Sequence, residues 1–189
     1  MGFDWHLHRK RSLRLTGYDY SRPGAYFVTL CVKDRQCLFG DVADGKMVLN
    51  EAGGMVQTVW NEMPDFYPEF RTDAFIIMPN HAHGIFVVVG AGPRACPRLG
   101  QHLDGQPQGV APTFGLPALV NRFKSMTTHR YIEGVKKSGW LTFQGKLWQR
   151  NYFEHIIRNK GEWHYLRRYI LTNPQRWPED PLNGTVGKS

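Results

Sequence analysis

Ala74-Phe75-Ile76-Ile77-Met78-Pro79-Asn80-His81-Ala82-His83-Gly84-Ile85-Phe86-Val87-Val88-Val89 is the stretch whose reading decides the fold. Two short runs of β-branched and aromatic residues flank a Pro-Asn pair, which is the pattern of two strands joined by a tight turn. Side chains two apart on a strand share a face, so His81 and His83 project together while Ala82 points the other way. Two imidazoles held side by side are either a pair of metal ligands or two partly buried, hydrogen-bonded histidines. Residues farther along the chain have to choose between them.

Around this hairpin the chain is that of an ordinary globular protein. Its 189 residues are enough for one good core, and 41% hydrophobic with 21% charged residues fits a soluble domain. The formal charge of +8 favours a polyanionic partner, nucleic acid or an anionic surface. No apolar run approaches bilayer length and no basic start leads into an apolar signal segment, so a soluble cytoplasmic protein with no membrane partner is expected. Cys31, Cys37 and Cys96 lack zinc-type spacing and are odd in number, which supports neither a disulfide framework nor a cysteine metal site.

The basic residues concentrate in two places. An N-terminal arm over residues 1–16 carries Arg9, Lys10, Arg11 and Arg14. A helix opened by Pro117 and running to about Val135 carries Arg122, Lys124 and Arg130 opposite a stripe of Leu119, Val120, Phe123, Met126 and Tyr131. No acid occurs between Leu116 and Ile132, so that face is one-signed. It reads either as a solvated surface or as a track for phosphates.

The remaining elements are marked by local signals. Ala25–Val32 is a near-continuous apolar strand, and Asp44-Gly45 a turn before Lys46–Leu49. Asn50 caps a helix reaching to about Met63, weakened by Gly53 and Gly54. Residues 90–115, rich in Gly, Pro and Gln without any period, read as an inserted loop. Lys146–Arg150 and Tyr152–Ile157 read as a strand pair or one bent strand. Asn159 with Glu162 forms a capping box for a last helix with Trp163, Leu166 and Ile170 inward, stopped near Asn173 by Pro174. The order predicts a single α+β domain, an antiparallel sheet with helices packed on it.

On that last helix Tyr165, Tyr169 and Asn173 recur every four residues and share a face. If this face meets the histidines, two imidazoles and an amide oxygen make a three-ligand set with positions left open for phosphate oxygens, and Tyr169 is placed to attack phosphorus.

The three motifs in order resemble the REP-associated tyrosine transposases of the single-tyrosine HUH class: Met78–His83, then Leu147-Trp148-Gln149-Arg150-Asn151-Tyr152-Phe153-Glu154-His155, then Tyr169-Ile170-Leu171-Thr172-Asn173-Pro174. The likeness runs from about residue 14 to about residue 178 with the 90–115 insertion between, and Ala82 is a weakly hydrophobic centre for the HUH motif. It implies an antiparallel, ferredoxin-like sheet with helices on one face, His81, His83 and Asn173 as ligands of a divalent ion (Mg²⁺ or Mn²⁺), and Tyr169 as nucleophile. The implied reaction cleaves and rejoins single-stranded or hairpin DNA near palindromic repeats through a 5′-phosphotyrosine, by a monomer or a homodimer. His155 and Trp148 also match, His155 as a structural residue; Tyr152, which has no amide one helical turn on, is rejected as nucleophile. A water-using metal nuclease and a non-catalytic hairpin-binding protein are the alternatives.

Overall fold

The computed structural model describes residues 18–68, 70–89 and 115–183. The basic arm with Arg9, Lys10, Arg11 and Arg14, Cys96, and the insertion up to residue 114 lie outside the described residues. In chain order the elements are β1 (Gly24–Cys31), β2 (Gly40–Ala43), β3 (Lys46–Leu49), α1 (Glu51–Phe66), β4 (Phe70–Met78), β5 (His81–Val88), α2 (Leu116–Ser138), β6 (Phe153–Ile157) and α3 (Lys160–Thr172), with 3₁₀ turns over Asn173–Glu179 at the end.

The predicted hairpin is β4 and β5, joined across Pro79-Asn80, with Met78 opposite His81 and Ile76 opposite His83. The sheet order is β4-β5-β1-β6, every neighbour antiparallel. With α1 between β1 and β4, and α2 between β5 and β6, this is the ferredoxin-like order, an α+β domain as expected. β2 and β3 form a separate hairpin. Its turn places Asp44 (φ 51°) and Gly45 (φ 68°) in the left-handed region, the geometry of a two-residue I′ connection.

Local signals set the helix starts. The Asn50 side chain accepts from the Gly53 N–H at 2.9 Å, and Asn159 accepts from the Glu162 N–H at 2.9 Å. The capping box is displaced by one residue, since the Glu162 carboxylate takes the Arg158 N–H at 2.7 Å instead of that of Asn159. α1 runs a turn past Met63 to Phe66, carrying Pro64 in its last turn. α2 ends on Gly139 at φ 66°.

Two apolar layers sandwich the sheet. Tyr26, Val28, Leu30, Phe86 and Val88 pack under α1 and α2, with Trp60 stacked on Phe75 at 4.1 Å between ring centroids. Ala25, Phe27, Ile85 and Ile157 pack against Leu166 and Ile170 of α3. The helices therefore cover both faces, which corrects the expectation of one: α3 lies opposite α1 and α2. Its inward stripe is apolar, and Ala25, Phe27 and Ile85 give it an apolar surface to cover.

The region after α2 also departs from expectation. Only Phe153–Ile157 is strand; before it, Trp148 makes a single bridge to Val32. The Lys124 ammonium donates to the carbonyls of Gln149 (2.9 Å), Arg150 (3.3 Å) and Asn151 (3.4 Å), which turns those groups away from a ladder. Trp148 is an anchor for this loop, buried with its indole N–H donating to Thr127 Oγ1 at 2.8 Å.

Candidate metal centre and nucleophile

The histidines sit on the face of β5 that α3 covers. His81 is wholly buried and His83 nearly so. Behind them, Gly84 faces Trp60, and a Cβ there would run into the indole. The close approach fixes the strand, and with it the histidine pair, against the core.

Each ring is oriented by a neighbour. The Asn80 amide donates through Nδ2 to the carbonyls of Leu182 (2.8 Å) and Arg35 (3.3 Å), which leaves its Oδ1 turned to His81 Nδ1 at 2.8 Å. A carbonyl oxygen only accepts, so His81 Nδ1 carries a proton and its Nε2 is the nitrogen turned to the site. His83 Nδ1 lies 2.8 Å from Thr29 Oγ1, the residue paired with it across β1 and β5. A hydroxyl both donates and accepts, so His83 can hold its proton on either nitrogen.

The two Nε2 atoms are 3.1 Å apart. At that distance one Nε2 donates a hydrogen bond to the other. With both Nε2 positions bare, the pair fits one metal. Two nitrogens each about 2.05 Å from an ion lie about 2.9 Å apart at a right angle and about 3.3 Å apart at the tetrahedral angle, which brackets the observed spacing. Burial drives the His83 pKa down to about 3, keeping the ring in its neutral, ligating form.

The third group is one that sequence reasoning missed. Asp180, buried, places Oδ2 3.8 Å from His81 Nε2, and the three ligand atoms of His81, His83 and Asp180 all lie within 4.8 Å of one another. Asp180 Oδ1 accepts from the Leu182 N–H at 2.6 Å, which aims the other oxygen at the histidines. A carboxylate beside two imidazoles suits Mn²⁺ and its neighbours. Nothing near Asp180 in the sequence repeats or pairs with the histidine motif.

Asn173, the expected third ligand, comes directly after α3 and is 1% exposed, and its Oδ1 has no hydrogen-bond partner. A buried amide oxygen left bare is itself a site for a cation or donor. Tyr169 packs edge-on against His83 at 5.3 Å, with Phe27 stacked on the same imidazole at 5.4 Å. Burial, then the charge of Asp180, pushes the Tyr169 pKa up to about 12, opposed by the Asn173 amide and by Arg176. Tyr165 points outward, 50% exposed. Tyr152 packs on the opposite side of the sheet beneath the Lys124 ammonium. His155 Nε2 lies 2.5 Å from a Glu162 carboxylate oxygen.

The three helix cations read as phosphate contacts are engaged within the protein. Arg122 donates to the Tyr67 hydroxyl at 2.7 Å, Arg130 pairs with Glu62 at 2.6 Å, and Lys124 holds the 149–151 carbonyls. Among the described residues no helix is long and apolar enough to cross a membrane.

No protein-family model matches the chain. An uncharacterized protein of Haemophilus influenzae is 36% identical over 178 residues, covering 93% of this chain and 94% of that protein. A solved structure of a REP-associated tyrosine transposase bound to a REP hairpin superposes with a TM-score of 0.52 at 20% identity, over 83% of this chain and 70% of the other. The chain therefore belongs to one family with the Haemophilus influenzae protein, and its fold is that of the REP-associated tyrosine transposase.

Proposed function

We propose that this protein is a metal-dependent tyrosine transposase of the REP-associated kind, cutting and rejoining single-stranded DNA beside hairpin-forming repeats. The observation that carries the reading is the contact of Tyr169 with His83, whose Nε2 converges with those of His81 and Asp180 Oδ2. The neighbour of like fold is a REP-associated tyrosine transposase bound to a REP hairpin, which supports hairpin DNA as the partner. With DNA as its substrate, the protein works in the cytoplasm, on the nucleoid. The domain comprises the whole chain, with residues 90–115 as an insertion and residues 1–16 as a basic arm.

His81, His83 and Asp180 hold the divalent ion in this reading, with the bare Asn173 Oδ1 as a further oxygen donor. A bound ion supplies Lewis-acid charge to the scissile phosphate. The Tyr169 oxygen attacks phosphorus: the new bond is O–P, and the bond from phosphorus to the 3′ oxygen breaks. The products are a 5′-phosphotyrosine and a free 3′-hydroxyl, which takes up one proton for the one the phenol loses. Rejoining runs the same exchange backwards from a new 3′-hydroxyl. Helix geometry ties Tyr169 to Asn173, so docking α3 brings nucleophile and amide in together.

The test is incubation with a hairpin carrying a single-stranded flank, plus Mn²⁺, and then denaturing electrophoresis. A covalent protein–DNA adduct absent in Tyr169→Phe is expected. Cutting that persists in Tyr169→Phe identifies a water-using nuclease, and hairpin binding without cutting identifies a non-catalytic binding protein.

A further inference from the structure

α3 presents to solvent a side chain that the chemistry at Tyr169 does not use. Tyr165 stands one helical turn before Tyr169, a spacing that puts the two side chains next to each other on the helix surface. Its ring is 50% exposed, and among the described residues it makes no ring contact and no hydrogen bond. Other aromatic rings are engaged: Tyr169 lies edge-on to His83, Trp177 is tilted over His81 with 6.0 Å between ring centroids, and Tyr152 lies under the Lys124 ammonium.

An uncovered ring is uncommon in this molecule. Among the described residues two aromatic side chains are exposed, Phe66 and Tyr165. Phe66 ends α1, which packs on the other face of the sheet. Tyr165 is therefore the exposed ring on the side that carries the histidines and the nucleophile.

The charge along α3 and the turn after it has one sign. No acid occurs in the chain between Glu162 and Glu179, and Glu162 itself is turned back onto His155 and the Arg158 N–H. Arg167 is held by Asp73 at 3.4 Å, whereas Arg168 and Arg176 are exposed and have no ion pair among the described residues. A bare ring among cations is the lining that takes single-stranded nucleic acid. The cations follow the phosphates and the ring takes the face of an unpaired base, a face that a stacked duplex keeps covered.

We infer that Tyr165 is a base-stacking subsite, its ring receiving the unpaired base next to the phosphate that Tyr169 attacks. The inference rests on the proposed function for the substrate, and its test separates the two. Binding of labelled oligothymidylate and of an abasic strand of equal length is measured by anisotropy across a salt series, with adduct formation on a flanked hairpin followed alongside. The parent protein is expected to prefer oligothymidylate. Tyr165→Ala should weaken oligothymidylate binding by about 5- to 150-fold. Abasic-strand binding and the log–log salt slope should stay as in the parent, since no charge is removed. Tyr165→Phe should keep the preference and Tyr165→Leu should lose it, because a base stacks on the face of a ring and not on apolar area alone. Equal binding of the two strands by the parent overturns the subsite. So does oligothymidylate binding that is unchanged in Tyr165→Ala, a loss of both strands alike, or a Tyr165→Leu variant that binds as Tyr165→Phe does. A ring-dependent preference in a protein that forms no tyrosine adduct keeps the subsite and loses the transposase reading; an adduct without the preference does the reverse.

Discussion

Asn80 Oδ1 and His81 Nδ1 stand 2.8 Å apart, and that one contact determines which nitrogen of His81 faces the centre of the site. The amide is held from behind by two backbone carbonyls, so it cannot turn over without losing both bonds. Removing such a partner of a ligating histidine typically costs 10- to 100-fold in metal affinity. Asn80→Ala is expected to weaken Mn²⁺ binding by about that factor, measured by calorimetry. His81→Ala/His83→Ala should abolish binding, and unchanged binding in the double variant would remove the histidines from the site.

Stability should fall with acidity through His83. Its folded pKa, about 3, lies below the ordinary value of 6.5, so between those limits the unfolded chain binds the extra proton. The contribution is complete above about pH 6.5 and is lost as pH falls toward 3, with a slope of up to ~1.4 kcal/mol per pH unit. Urea unfolding of the metal-free protein between pH 7 and 4 measures it, and His83→Gln should reduce the slope.

Tyr169→Phe keeps the ring that packs on His83 and Phe27 and removes only the hydroxyl. Folding, Mn²⁺ binding and hairpin binding should be retained while adduct formation drops by at least ~10³-fold. Tyr152→Phe and Tyr165→Phe should still form the adduct. Peptide mapping that places the phosphate on Tyr152 would reject the assignment of the nucleophile.

Gly84→Ala tests the link between core and site. The added methyl meets the Trp60 and Phe75 rings, which are themselves stacked and cannot both retreat. Overpacking of this kind costs about 1–3 kcal/mol, a fall of roughly 3–10 °C in melting temperature for a chain of this size. Because β5 carries both histidines, Mn²⁺ affinity should fall alongside stability.

The sequence by itself determined the parts that depend on near neighbours. The β4–β5 hairpin was legible because strand period and a Pro-Asn turn are local, and the same period put His81 and His83 on one face. Asn50, Pro117 and Asn159 marked helix starts because each satisfies N–H groups or a φ angle within its own first turn. The four-residue step from Tyr169 to Asn173 was likewise a property of one helix. Tertiary structure alone decided what those parts meet. Asp180 reaches the histidines because Asn80 and Arg35 hold the segment after α3 by its carbonyls, at Leu182 and Pro181. Lys124 is drawn out of the basic helix face by three carbonyls of a loop that the sequence made look like a strand. α3 takes the opposite face of the sheet because α1 and α2 already cover the other. Each of these is a contact between segments far apart along the chain, brought together by strand order, and no local period or cap encodes such a meeting.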